Sequence, residues 1–295
     1  MKIQTKLFSL LVLLICSCGN TAEQVVRPAK TRPVNYIVLL DLSDRLLPSQ
    51  AANDQALIKT VFTQFQKTVF GKGLIINSKD KFRVVIAPQH GVGYNPDNFM
   101  NILYLDLESL PLGEKSKQMV AFEKALPETL NSLYATATQR KSRPEHYPGC
   151  DLWKYFNDHL ENSLVNEADN RLVILTDGYL DFQKTPFKIT VKNRSTNTDF
   201  IWRFRGKANW EKTMRAGNWG LIPAQVNLPN VSVSVVEINS KFQNLNELSI
   251  LKTVWSDWLR GMQAQRVTWI PKYSLSNSQR LLQASLSEKA LNQSN

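Results

Sequence analysis

The chain has 295 residues, 43% hydrophobic and 21% charged, a composition that excludes a disordered polymer and suffices for one large domain or two small ones with a buried core. Its 36 Lys+Arg against 25 Asp+Glu give a formal charge of +11, which favours acidic partners or anionic headgroups and carries no information about fold. Beyond the N-terminal leader no stretch is apolar enough to cross a membrane.

At the N-terminus, Lys2 and Lys6 precede the apolar stretch Leu7 to Ile15, too short for a spanning helix. The following Ile15-Cys16-Ser17-Cys18-Gly19-Asn20 resembles a bacterial lipoprotein signal, with small Ser17 before the lipidated Cys18. The alternative is an ordinary cleaved secretory peptide. The resemblance implies a signal peptide over 1–17, a lipid-anchored Cys18 in the cell envelope, and a polar tether over 18–33 carrying Pro28 and Pro33. Gly19 is not the aspartate that holds such proteins at the inner membrane, which favours the outer one. Cys150 then remains as the single thiol, so no internal disulfide is expected.

Asn35 to Leu42 is almost wholly apolar, as for a parallel strand buried on both faces. A helix follows over Ser49 to Phe70, with Leu57, Val61, Phe62, Phe65 and Val69 at helical spacing, ended by Gly71 and Gly73. Strands are predicted over Phe82 to Ala87 and Ile102 to Leu107. A helix is predicted over Lys117 to Thr138, broken or bent near Pro127, and another over Asp151 to Leu164. Leu172 to Thr176 reads as a second central strand and Val231 to Ile238 as a half-exposed one. Asn246 to Gln265 is helical, Val267 to Ile270 a last strand, and Ser276 to Leu291 a peripheral helix in a C-terminal tail, 273–295. This alternation predicts an α/β fold, an open, mostly parallel, doubly wound sheet flanked by helices. Ligands of such sheets lie beyond the carboxyl ends of the strands, where Asp41 and Asp177 fall.

The order Asp41-Leu42-Ser43-Asp44-Arg45 after a strand, Gly149-Cys150-Asp151 in a turn before a helix, and Thr176-Asp177-Gly178 after a second strand resembles the von Willebrand factor type A domain and its metal-ion-dependent adhesion site. The likeness spans residues 34–272 and implies a Rossmann-like binding module in which hard oxygen ligands hold Mg²⁺, or Mn²⁺ or Ca²⁺, for a carboxylate from a protein partner. The implied ligands are Asp41, Ser43, Asp151 and Asp177. The chain departs from the pattern at two positions. Arg45 puts a fixed cation where a hydroxyl stands, and Cys150 puts a soft thiol where a threonine stands. Two arrangements follow: a metal held with Asp151 as the compensating ligand, or a degenerate site in which Arg45 takes part of the cation's role.

Residues 181–230 form an insertion with nine Lys/Arg and three Asp/Glu. Its run Phe200-Ile201-Trp202-Arg203-Phe204-Arg205 alternates like a β-hairpin, with aromatics inward or offered to a partner. Trp202, Arg203 and Arg205, together with Arg45 and Cys150, are the candidate partner-binding residues. A nucleic-acid ligand does not suit an exported chain, and the spacing of His146 and Cys150 does not make a placed nucleophile and base. No phosphate-binding Gly-x-x-x-x-Gly-Lys-Ser/Thr run and no His-Glu-x-x-His is present. The expectation is a non-enzymatic, lipid-anchored envelope module that binds a protein at the sheet's carboxyl edge. Its rivals are a scaffold lipoprotein with a vestigial site and a metal-dependent hydrolase.

Overall fold

The computed structural model describes residues 32–43, 46, 48–89, 91–138, 149–181, 188–242 and 244–287. The expected leader, the expected tether to residue 31, Cys18, Asp44, Arg45, His90 and His146 lie outside the described residues.

The chain begins with β1 (Val34–Leu40) and α1 (Pro48–Gly71), then β2 (Lys81–Ile86), α2 (Asp97–Ile102), β3 (Tyr104–Asp106), α3 (Lys115–Ala137), α4 (Leu152–Asp158) and β4 (Asp169–Leu175). The insertion contributes β5 (Thr190–Val191), β6 (Arg194–Ser195), α5 (Trp210–Ala216) and β7 (Gly220–Leu221). The chain closes with β8 (Val231–Ile238), α6 (Glu247–Gly261), β9 (Arg266–Pro271) and α7 (Leu275–Ser287).

Six strands form the central sheet in the order β3-β2-β1-β4-β8-β9, all parallel except the β2–β3 pair. This is a mixed α/β architecture with a mostly parallel sheet flanked by helices. All seven residues of β1 are buried. Side chains alternate across a strand, so both faces of the sheet are covered. Against one face Tyr36 meets Phe65 edge-on at 5.8 Å, and Phe62 meets Phe82 and Phe122 at 5.1 Å each. Phe156 of α4 packs on Trp258 of α6 at 4.6 Å, and Trp258 on Trp255 at 5.3 Å. Each such side chain taken out of water contributes about 1.5–3 kcal/mol, so core packing carries the fold.

Several polar groups that enter this core are held by hydrogen bonds. Asn35, buried in β1, donates to Ser163 O and to Asn170 Oδ1, both at 2.8 Å. Arg171 is nearly buried; it donates to Tyr36 OH at 3.0 Å, to Asp169 at 2.8 Å and to Leu286 O. Burial pushes the Tyr36 phenol up, against the pull of the Arg171 cation.

β8, expected to be half-exposed, is buried everywhere except at half-buried Ser232 because helices cover it, and four other expectations change. First, α3 is continuous through Pro127, so the helix is not broken there. That residue lies on the exposed face, where water can take the carbonyl freed by the missing N–H, while Phe122, Leu126, Leu130 and Leu133 hold the other face. Second, α7 is not peripheral. Leu282 and Leu286 are buried, and small Ser278 and Ser285 let the helix approach closely enough for Ser285 to meet Ser234 at 3.2 Å.

Third, the run from Asp199 to Phe204 is a 3₁₀ helix, not a hairpin. Its inward set is Phe200, Ile201 and Phe204, so Trp202 turns outward and the apparent alternation is not a strand's. The insertion's hairpin is the two-residue pair β5–β6, extended by β7. Fourth, the helix after Asp151 ends at Asp158, with a 3₁₀ turn over Glu161–Ser163.

Candidate functional site

In this sheet β2 and β3 lie to one side of β1 and β4 to the other, so the winding order reverses between β1 and β4. A crevice opens beyond the strand ends at such a reversal. Leu40 and Leu175 are register partners, and the Asp41 N–H donates to Leu175 O at 3.1 Å. The two distant acidic motifs therefore emerge side by side.

Asp41 is buried. Its Oδ2 accepts the Thr176 hydroxyl at 2.7 Å, and Thr176 Oγ1 in turn accepts the Gly178 N–H at 3.0 Å. Gly178 has φ of +96°, and a Cβ there would stand 3.3 Å from Ile238 Cγ2, so the turn after Asp177 needs glycine on both counts. Asp177 Oδ1 accepts the Tyr179 N–H at 3.0 Å. On its Oδ2, a buried atom, no donor is aligned among the described residues; Lys241 Nζ lies 3.2 Å away and balances it by charge.

Lys241 follows β8. It is held in place by more than this ion pair. Its ammonium lies 4.8 Å from the centre of the Tyr179 ring, and its backbone N–H donates to Tyr179 OH at 3.0 Å. Tyr179 OH donates to Glu247 at 2.7 Å, and burial pushes the phenol pKa well up. Asp181, just beyond, is also raised by burial, with Thr198 Oγ1 donating to it at 2.6 Å.

The third motif joins the same cluster. The Leu42 N–H donates to Cys150 Sγ at 3.1 Å, and Gln89, bridged to Cys150, donates to Leu42 O at 2.8 Å. Asp151 is the N-cap of α4: its Oδ1 accepts the Lys154 N–H at 2.8 Å. Ser43 sits half-buried in the turn, its carbonyl accepting from Leu46 N–H at 3.2 Å. Beside Cys150 and Asp151 a cavity of about 430 Å³ opens between α4 and the insertion, lined among others by Trp153, Asn157, Lys188, Asn197 and Pro223.

The candidate partner-binding residues divide. Trp202 is 59% exposed, with the Arg203 guanidinium 4.8 Å above its ring and 5.2 Å from that of Trp219. Arg205 instead turns inward. Its Nε donates to the fully buried Glu247 at 2.8 Å, while its guanidinium covers the exposed Phe242 ring at 3.9 Å.

Among the described residues the donor set is a poor match for a divalent cation. Asp41 Oδ2 accepts a hydroxyl, Asp151 Oδ1 caps a helix, Cys150 offers soft sulfur, Asp177 faces an ammonium, and of the implied ligands only Ser43 adds a hard hydroxyl. Among the described residues no three His, Cys, Asp or Glu groups converge to hold a metal. A doubly charged ion about 4 Å from the Lys241 ammonium would be repelled by about 8 kcal/mol at an effective dielectric near 20. Lys241 and Glu247 escaped sequence reading. The usable signal was a lysine three residues past the end of a strand, and it acquires meaning only once β8 is known to lie beside β4.

The chain is thus an α/β protein with a carboxylate-and-ammonium cluster at the switch point of its sheet. No protein-family model matches it, and no curated protein does. Solved structures similar to it include proximal thread matrix protein 1 from the mussel byssus, at 14% identity and a TM-score of 0.39, covering 86% of this chain and 47% of that one. Another is the open conformation of the pilus adhesin SpaC from Lactobacillus rhamnosus GG, at 10% identity and a TM-score of 0.42, covering 87% of this chain and 30% of that one. The chain spans less than half the length of either protein.

Proposed function

We propose that the chain is a binding module of von Willebrand type A kind, anchored to the cell envelope through a lipid on Cys18, and that it engages an acidic protein at the carboxyl edge of its sheet without catalysing a reaction. The observation that carries this reading is the convergence of Asp41, Cys150 and Asp177, from three separated motifs, on one crevice at the β1–β4 switch point. The acidic character of the partner is supported by the formal charge of +11 and by Arg203, whose described contacts are aromatic rings and not carboxylates. Exposed Trp202 adds apolar area beside that charge.

Photo-crosslinking tests the surface. A crosslinker at position 43 or 202 is expected to trap one species in the cell envelope, whereas one at position 79, before β2 at the opposite edge, traps none. Trp202→Ala should lower capture about tenfold, equivalent to 1.4 kcal/mol, while leaving the urea midpoint unchanged. Equal trapping from both edges would remove the reading. The scaffold alternative gains support from Asp41, Asp151 and Cys150 each being engaged within the protein. It requires that Asp41→Ala, if folded, leave capture intact.

A further inference from the structure

We infer that Lys241 is a resident cation: its ammonium takes the place beside Asp177 that a divalent ion takes in a metal-dependent site, and the crevice works without metal. Three contacts build this position. The ammonium pairs with Asp177 Oδ2 at 3.2 Å, lies over the Tyr179 ring at 4.8 Å, and is fixed in register by the bond from its own backbone N–H to Tyr179 OH at 3.0 Å. Asp177 Oδ2 is a buried oxygen on which no donor is aligned among the described residues, so charge and not a directed bond compensates it. That is the role a metal fills with such an oxygen.

Tyr179 is clamped on both sides. Its N–H donates to Asp177 Oδ1 at 3.0 Å and its hydroxyl to Glu247 at 2.7 Å, so the ring beneath the ammonium is anchored to the same aspartate and to α6. The soft Cys150 sulfur, which accepts the Leu42 N–H at 3.1 Å, belongs to the same design: it supports the loop through the backbone, where a metal site would need a hard oxygen. The ammonium, on a side chain one-third exposed, balances Asp177 while needing no ion from solution.

The inference deepens the binding reading, on which only the use of the charge rests; its experiment needs no partner. Calorimetry of the full chain with Mn²⁺ at about 1 mM, where weak extracellular sites fill, is expected to give no saturable heat. In urea unfolding, Asp177→Asn and Lys241→Met should each lower the midpoint, and the double variant should fall no further than the larger single change. Lys241→Gln serves if Lys241→Met does not fold. One-to-one Mn²⁺ binding lost in Asp177→Asn, or additive midpoint shifts, would overturn the resident cation and leave the binding surface standing. Failure of the crosslinking test would do the reverse.

Discussion

Two buried acidic groups in this molecule are each paired with a basic side chain, yet they do different work. Glu247 is wholly buried and accepts from Tyr179 OH, from Ser240 Oγ at 3.0 Å and from Arg205 Nε, so its oxygens are held by directed bonds from three segments. Asp177 has one oxygen held by a backbone N–H and the other, among the described residues, balanced by the charge of Lys241, whose side chain keeps a third of its surface exposed. The first arrangement staples the insertion to α6. The second pairs a buried carboxylate with an ammonium on a side chain one-third exposed. Equal formal charge thus gives a structural group in one place and a candidate site in the other, according to how fully hydrogen bonds replace water.

The largest effect expected from this contrast is at Glu247. Glu247→Ala leaves the Arg205 cation and the Tyr179 hydroxyl without their shared acceptor, and should cost about 3–5 kcal/mol in urea unfolding. A loss below about 1 kcal/mol would mean that the staple is ornamental. At the switch point, Asp41→Ala removes the acceptor of the buried Thr176 hydroxyl and is expected to cost about 1–3 kcal/mol. Asp177→Asn keeps an acceptor for the Tyr179 N–H and weakens a pair whose lysine is one-third exposed, and should cost less than about 1 kcal/mol. If the two aspartates reverse in rank, Asp177 is the more structural of the two and the comparison fails.

The smallest effect is expected from Asp181, which Lys241 and Asp177 influence by charge. Burial raises its pKa above the ordinary aspartate value of 3.8, with the Thr198 hydroxyl pulling the other way. Just above that ordinary value the unfolded chain has released its proton while the folded chain retains it. Asp181 therefore favours folding at acid pH, and that contribution is lost as pH rises through its folded pKa. Asp181→Asn preserves an acceptor for Thr198 and should flatten the fall of stability with rising pH, as read from urea midpoints between about pH 4 and pH 7.

Much of the sheet was legible because its signal is local. The seven buried residues of β1 announce a strand covered on both faces, and the Leu57, Val61, Phe65, Val69 spacing announces the inward stripe of α1. The insertion was less legible. Phe200, Trp202 and Phe204 alternate, yet a 3₁₀ turn buries Phe200, Ile201 and Phe204, and no local pattern separates those readings without knowing that Trp219 packs against both phenylalanines, at 6.1 and 5.8 Å. The serines of α7 hid its burial for a similar reason: small polar residues read as surface until a neighbouring strand presents Ser234 to them.

What the sequence determined by itself was the strands and their acidic tips, because apolar runs ending on Asp41 and on Thr176-Asp177 have their cause in a few adjacent residues. Only the tertiary structure decided which charges face one another. Lys241 stands 64 positions after Asp177, and Glu247 is 42 after Arg205. Those pairings arise because β8 lies beside β4 and the insertion folds back over α6, and strand order is a property of the whole packed sheet.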